Sequence, residues 1–319
     1  MKIVVLDGHT MNPRGDNSWD VVGELGELEV YDFTPVEQIV ERAQGAEVVL
    51  TNKTPLSRET LGQLPQLRFI SVVATGYNVV DVEAARERDI SVSNIPVYGT
   101  DSVAQYAIAM LLELCHHIGR HDLAVRQGGW QQAGQFSFWQ GTLVELAGKT
   151  LGIVGFGRIG RRVAELGHAF GMEIIAYTPR PGQAPGYEPF AFRSLEELFA
   201  EADAVSLHCP QTPENAGFVN RELLGRMKPG SFLVNTSRGA LVNEADLLEA
   251  LRAGRPGAAA TDVASTEPIQ EGNPLLKAPN LMITPHMAWA TLEARQRLMA
   301  MTVENVKAFQ QGASINVVN

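Results

Sequence analysis

The chain has 319 residues, of which 45% are apolar and 19% charged, and its formal charge is −10. At roughly 150 residues per domain this length predicts two domains, with cores large enough to fold without disulfides. The excess of acidic residues argues against broad electrostatic binding to nucleic acid or to an anionic membrane, and the two cysteines, Cys115 and Cys209, exclude a disulfide scaffold.

The N-terminus begins with a short apolar run, residues 3–6, that ends at Asp7. Four apolar residues are too few for the core of a signal peptide, which needs about 7 to 15. No stretch of the chain reaches the roughly 18 uncharged apolar residues of a membrane helix. We therefore expect a cytoplasmic protein that does not associate with membranes.

Residues 1–99 alternate short apolar runs with amphipathic segments. Helices are predicted between several of these runs, for example at 35–44 and 81–88. The alternation is typical of βαβ units and predicts a parallel sheet. Strands are predicted at 2–6, 28–31, 47–51, 68–74 and 90–92.

Residues 100–127 are predicted to form one long helix that is apolar on most sides. Such a helix is buried in a core or in a subunit interface. The loop 128–140 that follows concentrates aromatic residues, which favours a surface that covers a partner. His117 and His121 lie four residues apart, but no cysteine or carboxylate completes a ligand set, and no metal site is predicted.

A second alternating series starts near Lys149 and predicts a doubly wound nucleotide-binding sheet. The segment 179–189, rich in proline and glycine, is predicted to be a surface loop. The predicted strands are 150–154, 172–177, 204–208, 231–235, 258–263 and 281–284, and the predicted helices are 158–170, 194–200, 221–226, 244–253 and 291–310.

The sequence GFGRIG at 155–160 follows an apolar strand and begins a helix. In that context Gly155 permits the tight turn, Gly157 lets the backbone approach a diphosphate, and Gly160 lets the helix pack close to the strand. The amino end of the helix offers free amides and a positive dipole end to the phosphates. This motif predicts a dinucleotide cofactor.

The residue that follows the second strand of this unit bears on the choice between NAD and NADP. An acidic residue usually binds the ribose 2′-hydroxyl there, but this chain has Thr178 and then Arg180. Arg180 is close enough in sequence to meet a 2′-phosphate, so we expect NAD(P)H with a preference for NADPH. The alternative is that Arg180 points into solvent and NAD still binds.

Three loops at strand ends of the second series carry a candidate catalytic set. Arg238 follows the strand 231–235, Glu267 follows 258–263, and His286 follows 281–284. Hydride transfer to a 2-oxo acid needs a cation for the carboxylate, a proton donor for the developing alkoxide and a group that orients that donor. These residues fit the three roles, with Glu267 favouring the protonated form of His286. Gly239 is expected to let Arg238 lie close to a ligand.

The chain resembles the D-isomer-specific 2-hydroxyacid dehydrogenases over essentially its whole length. Within that family it is most similar to the glycerate dehydrogenases, also called hydroxypyruvate reductases. Besides the glycine loop, the resemblance rests on ATGYNVVDVEAA at 74–85, GTDSVAQYAIAMLL at 99–112, HCPQTPEN at 208–215, MKPGSFLVNTSRG at 227–239, TDV and TEP within 261–268, and TPHMAW at 284–289.

The resemblance implies an α/β fold with two doubly wound parallel-sheet domains. A discontinuous, flavodoxin-like substrate-binding domain would comprise 1–99 and 288–319, and a Rossmann dinucleotide-binding domain would comprise 100–287. It implies Arg238, Glu267 and His286 as the catalytic residues. It also implies a homodimer built by the helix 100–127 and the aromatic loop 128–140.

The resemblance further assigns binding roles. Backbone amides near Thr75 and Gly76 would complete the site for the substrate carboxylate. The cofactor would lie against Arg158 and Ile159 at the diphosphate and against Asp262 at the nicotinamide end. The rest of its cleft would be lined by His208, Cys209, Pro210 and Thr236. Thr178 departs from the many relatives that carry Asp, which puts NAD as sole cofactor in doubt.

Substrate identity depends on weaker signals. Lys53 follows a first-half strand and could contact a substrate carboxylate or hydroxyl, although a surface lysine fits equally well. Trp289, near His286, would form a compact wall and favour small acids. The expected reaction is reduction of hydroxypyruvate or glyoxylate to D-glycerate or glycolate.

Three alternative functions are compatible with parts of the sequence. A 3-phosphoglycerate dehydrogenase, or another D-2-hydroxyacid dehydrogenase, would belong to the same family, but the former needs a phosphate site and the first half offers little beyond Lys53 and Arg58. An NAD(H)-sensing co-repressor would need an interaction surface or tail. A Rossmann-type methyltransferase would not need Arg, Glu and His on successive loops.

Overall fold

The computed structural model describes all 319 residues and divides the chain into two compact units. The first unit comprises Met1–Gly99 and Ala290–Asn319, and the second comprises Thr100–Trp289. Each unit is built on one parallel sheet, as the alternation of strands and helices predicted.

The sheet of the first unit has five parallel strands. They are β1 (Lys2–Val5), β2 (Glu27–Val30), β3 (Val48–Thr51), β4 (Phe69–Val72) and β5 (Ser91–Ser93). Their order, β2-β1-β3-β4-β5, is the flavodoxin-like order. Every residue of β3 and β4 is buried, which explains why these strands are continuous apolar runs in the sequence.

Short helices connect these strands. They are α1 (Asp20–Gly23), α2 (Ile39–Ala43), α3 (Arg58–Gly62) and α4 (Val82–Arg86), with 3-10 turns at Gly8–Thr10 and Val36–Gln38. Ser57 and Asp81 accept hydrogen bonds from first-turn amides and so cap α3 and α4.

The second unit has seven parallel strands. They are β6 (Thr150–Val154), β7 (Glu173–Tyr177), β8 (Phe190–Phe192), β9 (Ala204–Leu207), β10 (Phe232–Asn235), β11 (Ala258–Thr261) and β12 (Leu281–Ile283). The order β12-β11-β10-β9-β6-β7-β8 contains the Rossmann arrangement, with its switch point between β6 and β9. Strand β8, a three-residue edge strand directly after the predicted loop 179–189, was not predicted from the sequence.

The helices of the second unit are α5 (Thr100–His116), α6 (Ile118–Arg126), α7 (Gly129–Ala133), α8 (Arg158–Ala169), α9 (Leu195–Glu201), α10 (Arg221–Arg226) and α11 (Glu244–Arg252), with 3-10 turns at Pro213–Asn215, Gly239–Leu241 and Pro274–Lys277. The chain returns to the first unit with α12 (Leu292–Gln310). None of the helices combines the length and the apolar character that a membrane span requires.

The prediction of a single helix over 100–127 was wrong, because the helix is interrupted at His117. This residue has a φ of 50°, a left-handed conformation that interrupts the helical hydrogen-bond pattern. Helix α5 packs into the core beside Ile153 and Val163, whereas α6 has no buried residue. The two halves of the predicted helix therefore have different environments.

The boundary of the first unit also differs from the expected one. Ala288 and Trp289, expected in the substrate-binding domain, lie in the second unit. Hydrogen bonds hold them there: Ser102 Oγ donates to the Ala288 carbonyl at 2.7 Å, and Trp289 Nε1 donates to the His286 carbonyl at 3.0 Å.

Candidate active site

The segment between β6 and α8 forms a tight glycine loop. Gly155 has a φ of 95°, and a Cβ there would lie 2.5 Å from the backbone nitrogen of Cys209. A Cβ on Gly160 would lie 2.1 Å from the Gly155 carbonyl oxygen, so α8 packs directly on the loop. A Cβ on Gly157 would meet no atom within 4 Å. The backbone at Gly157 is therefore open to a ligand, whereas the other two glycines are required by packing.

Helix α8 begins directly after Gly157 and has no acidic residue in its first turn. Arg158 is exposed there and Ile159 is partly buried. The first-turn amides and the positive end of the helix dipole form a site for an anion. The residues present therefore fit the diphosphate of a dinucleotide.

The tip of β7 carries no carboxylate. Thr178 is partly buried and Arg180 is exposed. The guanidinium of Arg161 lies 4.4 Å from the centre of the Phe156 ring and donates to the Gln183 carbonyl at 2.9 Å. This end of the sheet therefore presents neutral and cationic groups, with no acidic residue to bind a ribose 2′-hydroxyl.

The end of β9 lies against the glycine loop. The His208 amide donates to the Val154 carbonyl at 2.7 Å, and His208 Nε2 pairs with Ser206 Oγ at 2.8 Å. Desolvation lowers the pKa of His208 to about 3, so its ring is neutral near pH 7. Burial raises the pKa of the Cys209 thiol to about 11, which makes it a poor nucleophile. Pro210 follows and is exposed.

The loop after β10 contains a buried hydroxyl without a partner. Thr236 is 9% exposed, and its Oγ1 makes no hydrogen bond within the chain. The neighbouring Ser237 Oγ donates to the Cys209 carbonyl at 2.6 Å and so joins this loop to the end of β9. Buried polar groups are normally paired, so the Thr236 hydroxyl is a candidate contact for a bound cofactor.

The structure brings His286 and Glu267 together. His286 Nδ1 lies 2.6 Å from Glu267 Oε2, and both side chains are partly exposed. His286 has a φ of 53°, and its amide donates to the Asp262 carbonyl at 2.7 Å. Because Nδ1 is held by the carboxylate, Nε2 is the ring atom that can exchange a proton with a ligand.

Asp262 anchors the loop that carries His286. Its carboxylate is 1% exposed and accepts hydrogen bonds from Thr284 Oγ1 at 2.6 Å, the Met287 amide at 2.9 Å and the Ala288 amide at 2.8 Å. These donors lie on both sides of His286 and fix its backbone. The contact of Asp262 with the nicotinamide end stays a prediction.

Gly239 packs against the loop that follows β11. A Cβ on this residue would lie 1.9 Å from the carbonyl carbon of Ala264, so a glycine is required here by backbone packing. The Ala264 amide in turn donates to Glu267 Oε1 at 3.1 Å. The exposed Arg238 is thereby held on a loop that contacts the loop of Glu267. The structure thus links the loops of the three predicted catalytic residues.

The first unit holds its candidate loops by buried polar side chains. Asp7 is 5% exposed, and its carboxylate accepts hydrogen bonds from the amides of Asn52, Lys53 and Thr54 at 2.5 to 3.0 Å. The side chain of Lys53 is exposed on this turn. Asp7 therefore fixes the backbone that presents Lys53, and no pattern in the sequence indicated this role.

Thr75 and Gly76 follow β4. Thr75 Oγ1 donates to the Ile95 carbonyl at 2.8 Å, and the Thr75 carbonyl accepts from Asn94 Nδ2 at 2.8 Å. No group of the protein accepts a hydrogen bond from the Thr75 or Gly76 amide. Both amides therefore remain available to a ligand.

The two parallel-sheet units and the glycine loop define an α/β protein with a dinucleotide-binding unit. Residues 108–288 match the family model of the D-isomer specific 2-hydroxyacid dehydrogenase NAD binding domain, which is more than half of the chain. The chain belongs to the D-isomer-specific 2-hydroxyacid dehydrogenase family, as its resemblance predicted.

Individual relatives match over their full length. The chain is 48% identical to a hydroxypyruvate reductase of Blautia hydrogenotrophica over 100% of both chains. It is 41% identical to a glycerate dehydrogenase of Methylorubrum extorquens over 99% of this chain and 98% of that one. The structure of a D-lactate dehydrogenase from Escherichia coli matches with a TM-score of 0.88 and 31% identity over 100% of both chains.

Proposed function

We propose that the protein reduces a small 2-oxo acid, hydroxypyruvate or glyoxylate, to D-glycerate or glycolate with NAD(P)H. The observation that carries this proposal is the His286–Glu267 pair, held at 2.6 Å on a loop cluster shared with Arg238. The names of the hydroxypyruvate reductase and glycerate dehydrogenase relatives support the choice of substrate.

In this mechanism bound NAD(P)H supplies the hydride that adds to the carbonyl carbon. The Arg238 guanidinium binds the substrate carboxylate and the carbonyl oxygen through parallel N–H donors. His286 Nε2 gives its proton to that oxygen as negative charge develops on it. Glu267 keeps the imidazole oriented and stabilises its charged form, and amides near Thr75 and Gly76 bind the other carboxylate oxygen.

The remaining binding roles are part of the same proposal. The diphosphate lies on the glycine loop at Arg158 and Ile159, and Asp262 meets the nicotinamide end. The cofactor cleft is lined by His208, Cys209, Pro210 and Thr236. Lys53 contacts the substrate carboxylate or hydroxyl, and Trp289 restricts the size of the substrate. If Lys53→Ala leaves the KM for the 2-oxo acid unchanged, the role of Lys53 is excluded.

The experiment that tests the proposal is a panel of 2-oxo acids assayed with NADH and with NADPH. Hydroxypyruvate and glyoxylate are expected to give the highest kcat/KM, above pyruvate and 3-phosphohydroxypyruvate. Efficient reduction of 3-phosphohydroxypyruvate alone would favour a phosphoglycerate dehydrogenase. Absence of turnover with every acid would exclude the proposed function.

The same assay tests the preference for NADPH, which rests on the neutral Thr178 and the exposed Arg180 at the tip of β7. Thr178→Asp places a carboxylate where it would repel a 2′-phosphate, so the ratio of kcat/KM for NADPH over NADH should fall about tenfold or more. A wild-type enzyme that prefers NADH tenfold would contradict the proposed preference.

The proposed homodimer is supported by unburied aromatic residues beside α6. Phe136 is 96% exposed and Trp139 65% exposed, which are high values for large apolar side chains on a monomer surface. We assign a second copy of the chain to this face, the arrangement that the family resemblance implies. Light scattering should give a dimer for the wild type and a shift to monomer for the double variant Phe136→Asp, Trp139→Asp. A monomeric wild type would contradict this assignment.

A further inference from the structure

Asn94 links the end of the first sheet to the Thr75–Gly76 loop. It follows β5 and is 9% exposed. Its Nδ2 donates to the Thr75 carbonyl at 2.8 Å, while the next residue, Ile95, donates its amide to the Ala74 carbonyl at 3.0 Å. The buried side chain of Asn94 therefore holds the Thr75 carbonyl, and with it the Thr75–Gly76 peptide.

The geometry of a trans peptide converts this bond into a direction for the Gly76 amide. The carbonyl of Thr75 and the N–H of Gly76 belong to the same planar unit and point to opposite sides. Because the carbonyl faces the buried Asn94, the N–H of Gly76 points away from it, and no group of the chain accepts its hydrogen. A hydrogen bond to the carbonyl also polarises the peptide and strengthens the N–H as a donor.

The backbone of Asn94 is itself held by two further asparagines. Asn305 on α12 is fully buried and donates through Nδ2 to the Asn94 carbonyl at 3.1 Å. Asn316 accepts the Asn94 amide at 3.1 Å through its carbonyl and donates its Nδ2 to Asn305 Oδ1 at 2.9 Å. These bonds close a network around Asn94. The network leaves Asn94 little freedom, so the Gly76 amide is oriented before a ligand arrives.

We infer that Asn94 is a positioning residue that directs the Gly76 amide toward the carboxylate of the 2-oxo acid. This inference rests on the proposed function. Asn94 does not touch the substrate and acts through the Thr75–Gly76 peptide. Its contribution is to carboxylate binding, whereas proton transfer is left to His286.

The test compares two substitutions of the same kind in the same unit. Asn94→Asp keeps the shape of the side chain but puts an oxygen against the Thr75 carbonyl. Asn17→Asp is the matched control, because Asn17 is 7% exposed and also donates to backbone carbonyls, those of Met11 and Arg295. The ligand is oxamate, a carboxylate analogue of a 2-oxo acid, used as a competitive inhibitor of hydroxypyruvate reduction.

Asn94→Asp should raise the Ki of oxamate and the KM of hydroxypyruvate about tenfold, which corresponds to the loss of one well-aligned hydrogen bond. Its kcat should fall less than its KM rises, and its Kd for NADPH should stay within about twofold of wild type. Asn17→Asp should leave the Ki of oxamate unchanged even where it lowers the Tm. If Asn94→Asp does not fold, Asn94→Ser removes the same donor and carries the same expectation.

A Ki of oxamate within twofold of wild type in the Asn94 variant would overturn the inference, as would an equal rise in the Asn17 control. Either result in an enzyme that still reduces hydroxypyruvate leaves the proposed function intact. A wild-type enzyme that neither reduces 2-oxo acids nor binds oxamate would instead overturn the proposed function, and this inference with it.

Discussion

The two units place loops at the ends of parallel strands, but these loops present different chemistry. In the second unit the candidate groups are side chains: the exposed Arg238 and the His286–Glu267 pair. In the first unit they are mainly backbone amides, those of Thr75 and Gly76. Titratable side chains can move protons and match developing charge, whereas fixed peptide dipoles can only orient and bind.

The loops of both units are anchored by buried polar side chains, and the second unit adds direct packing of backbone on backbone. In the second unit, backbone packs on backbone at Gly239 and Ala264, and Asp262 fixes both sides of His286. In the first unit, single buried polar side chains, Asp7 and Asn94, hold the loops. We therefore expect substitutions at the second-unit groups to change kcat, and substitutions at the first-unit anchors to change mainly KM.

The largest effect is expected for Arg238→Ala. This change removes a charge-assisted contact from both the bound substrate and the transition state, so kcat should fall and KM should rise, with kcat/KM reduced about 10⁴-fold. Arg238→Lys keeps the charge without the planar fork and should recover only part of the loss. Steady-state kinetics with hydroxypyruvate measure both. A full recovery by lysine would show that charge alone suffices.

A smaller loss is expected for Glu267→Gln, which keeps the hydrogen-bond geometry but removes the negative charge beside His286. The charged imidazole is then less stabilised, and kcat should fall roughly 10- to 100-fold with little change in the Kd for NADPH. Glu271→Gln is the control, because Glu271 is exposed four residues further along the same loop. Equal effects of the two substitutions would remove Glu267 from the mechanism.

Asp7→Asn tests an anchor of the first unit, where the effect is expected mainly on KM. Three amides that now share a carboxylate would face a neutral group with one donor, so we expect the free energy of unfolding to fall by about 2 kcal/mol. The displaced turn should raise the KM for hydroxypyruvate severalfold while kcat changes little. Denaturant titration and kinetics measure the two effects. A loss confined to kcat would contradict the division of roles between the units.

The smallest effect concerns His208 and stability at acid pH. The pKa of His208 is lowered to about 3 in the folded protein, whereas an unfolded chain takes up the proton near pH 6.5. Stability should therefore fall as the pH drops from about 6.5 towards 3. His208→Gln should reduce the stability difference between pH 7 and pH 4.5 by about 1 to 2 kcal/mol. His116→Gln is the control, because His116 is exposed. If His208→Gln leaves the stability difference between pH 7 and pH 4.5 unchanged, the lowered pKa of His208 is contradicted.

The parallel sheets and the glycine loop could be predicted from the sequence, because apolar strand runs and a strand–GxGxxG–helix context are local signals. The sequence also placed Arg238, Glu267 and His286 at one sheet edge, since parallel strands end on the same side. It could not show the packing of Gly239 on Ala264, which depends on two loops meeting in the folded chain. The anchors Asp7 and Asn94 were missed for the same reason, because their partners lie 45 and 19 residues away.

Other features were missed for want of a distinctive pattern. The helical periodicity continues through His117, so nothing in the amino-acid sequence indicates the left-handed backbone of this residue. Strand β8 has only three residues at the edge of the sheet, too few to show a strand pattern. Short elements of this kind are fixed by tertiary packing more than by local preference.

The most direct test of the central claim is the reduction of hydroxypyruvate by NADPH in the wild type and in His286→Ala, followed by the loss of NADPH absorbance. We expect His286→Ala to lower kcat about 10³-fold, because the proton donor is lost, while the Kd for NADPH changes less than about twofold. A His286→Ala enzyme with a kcat near that of the wild type would contradict the claim that His286 supplies the proton.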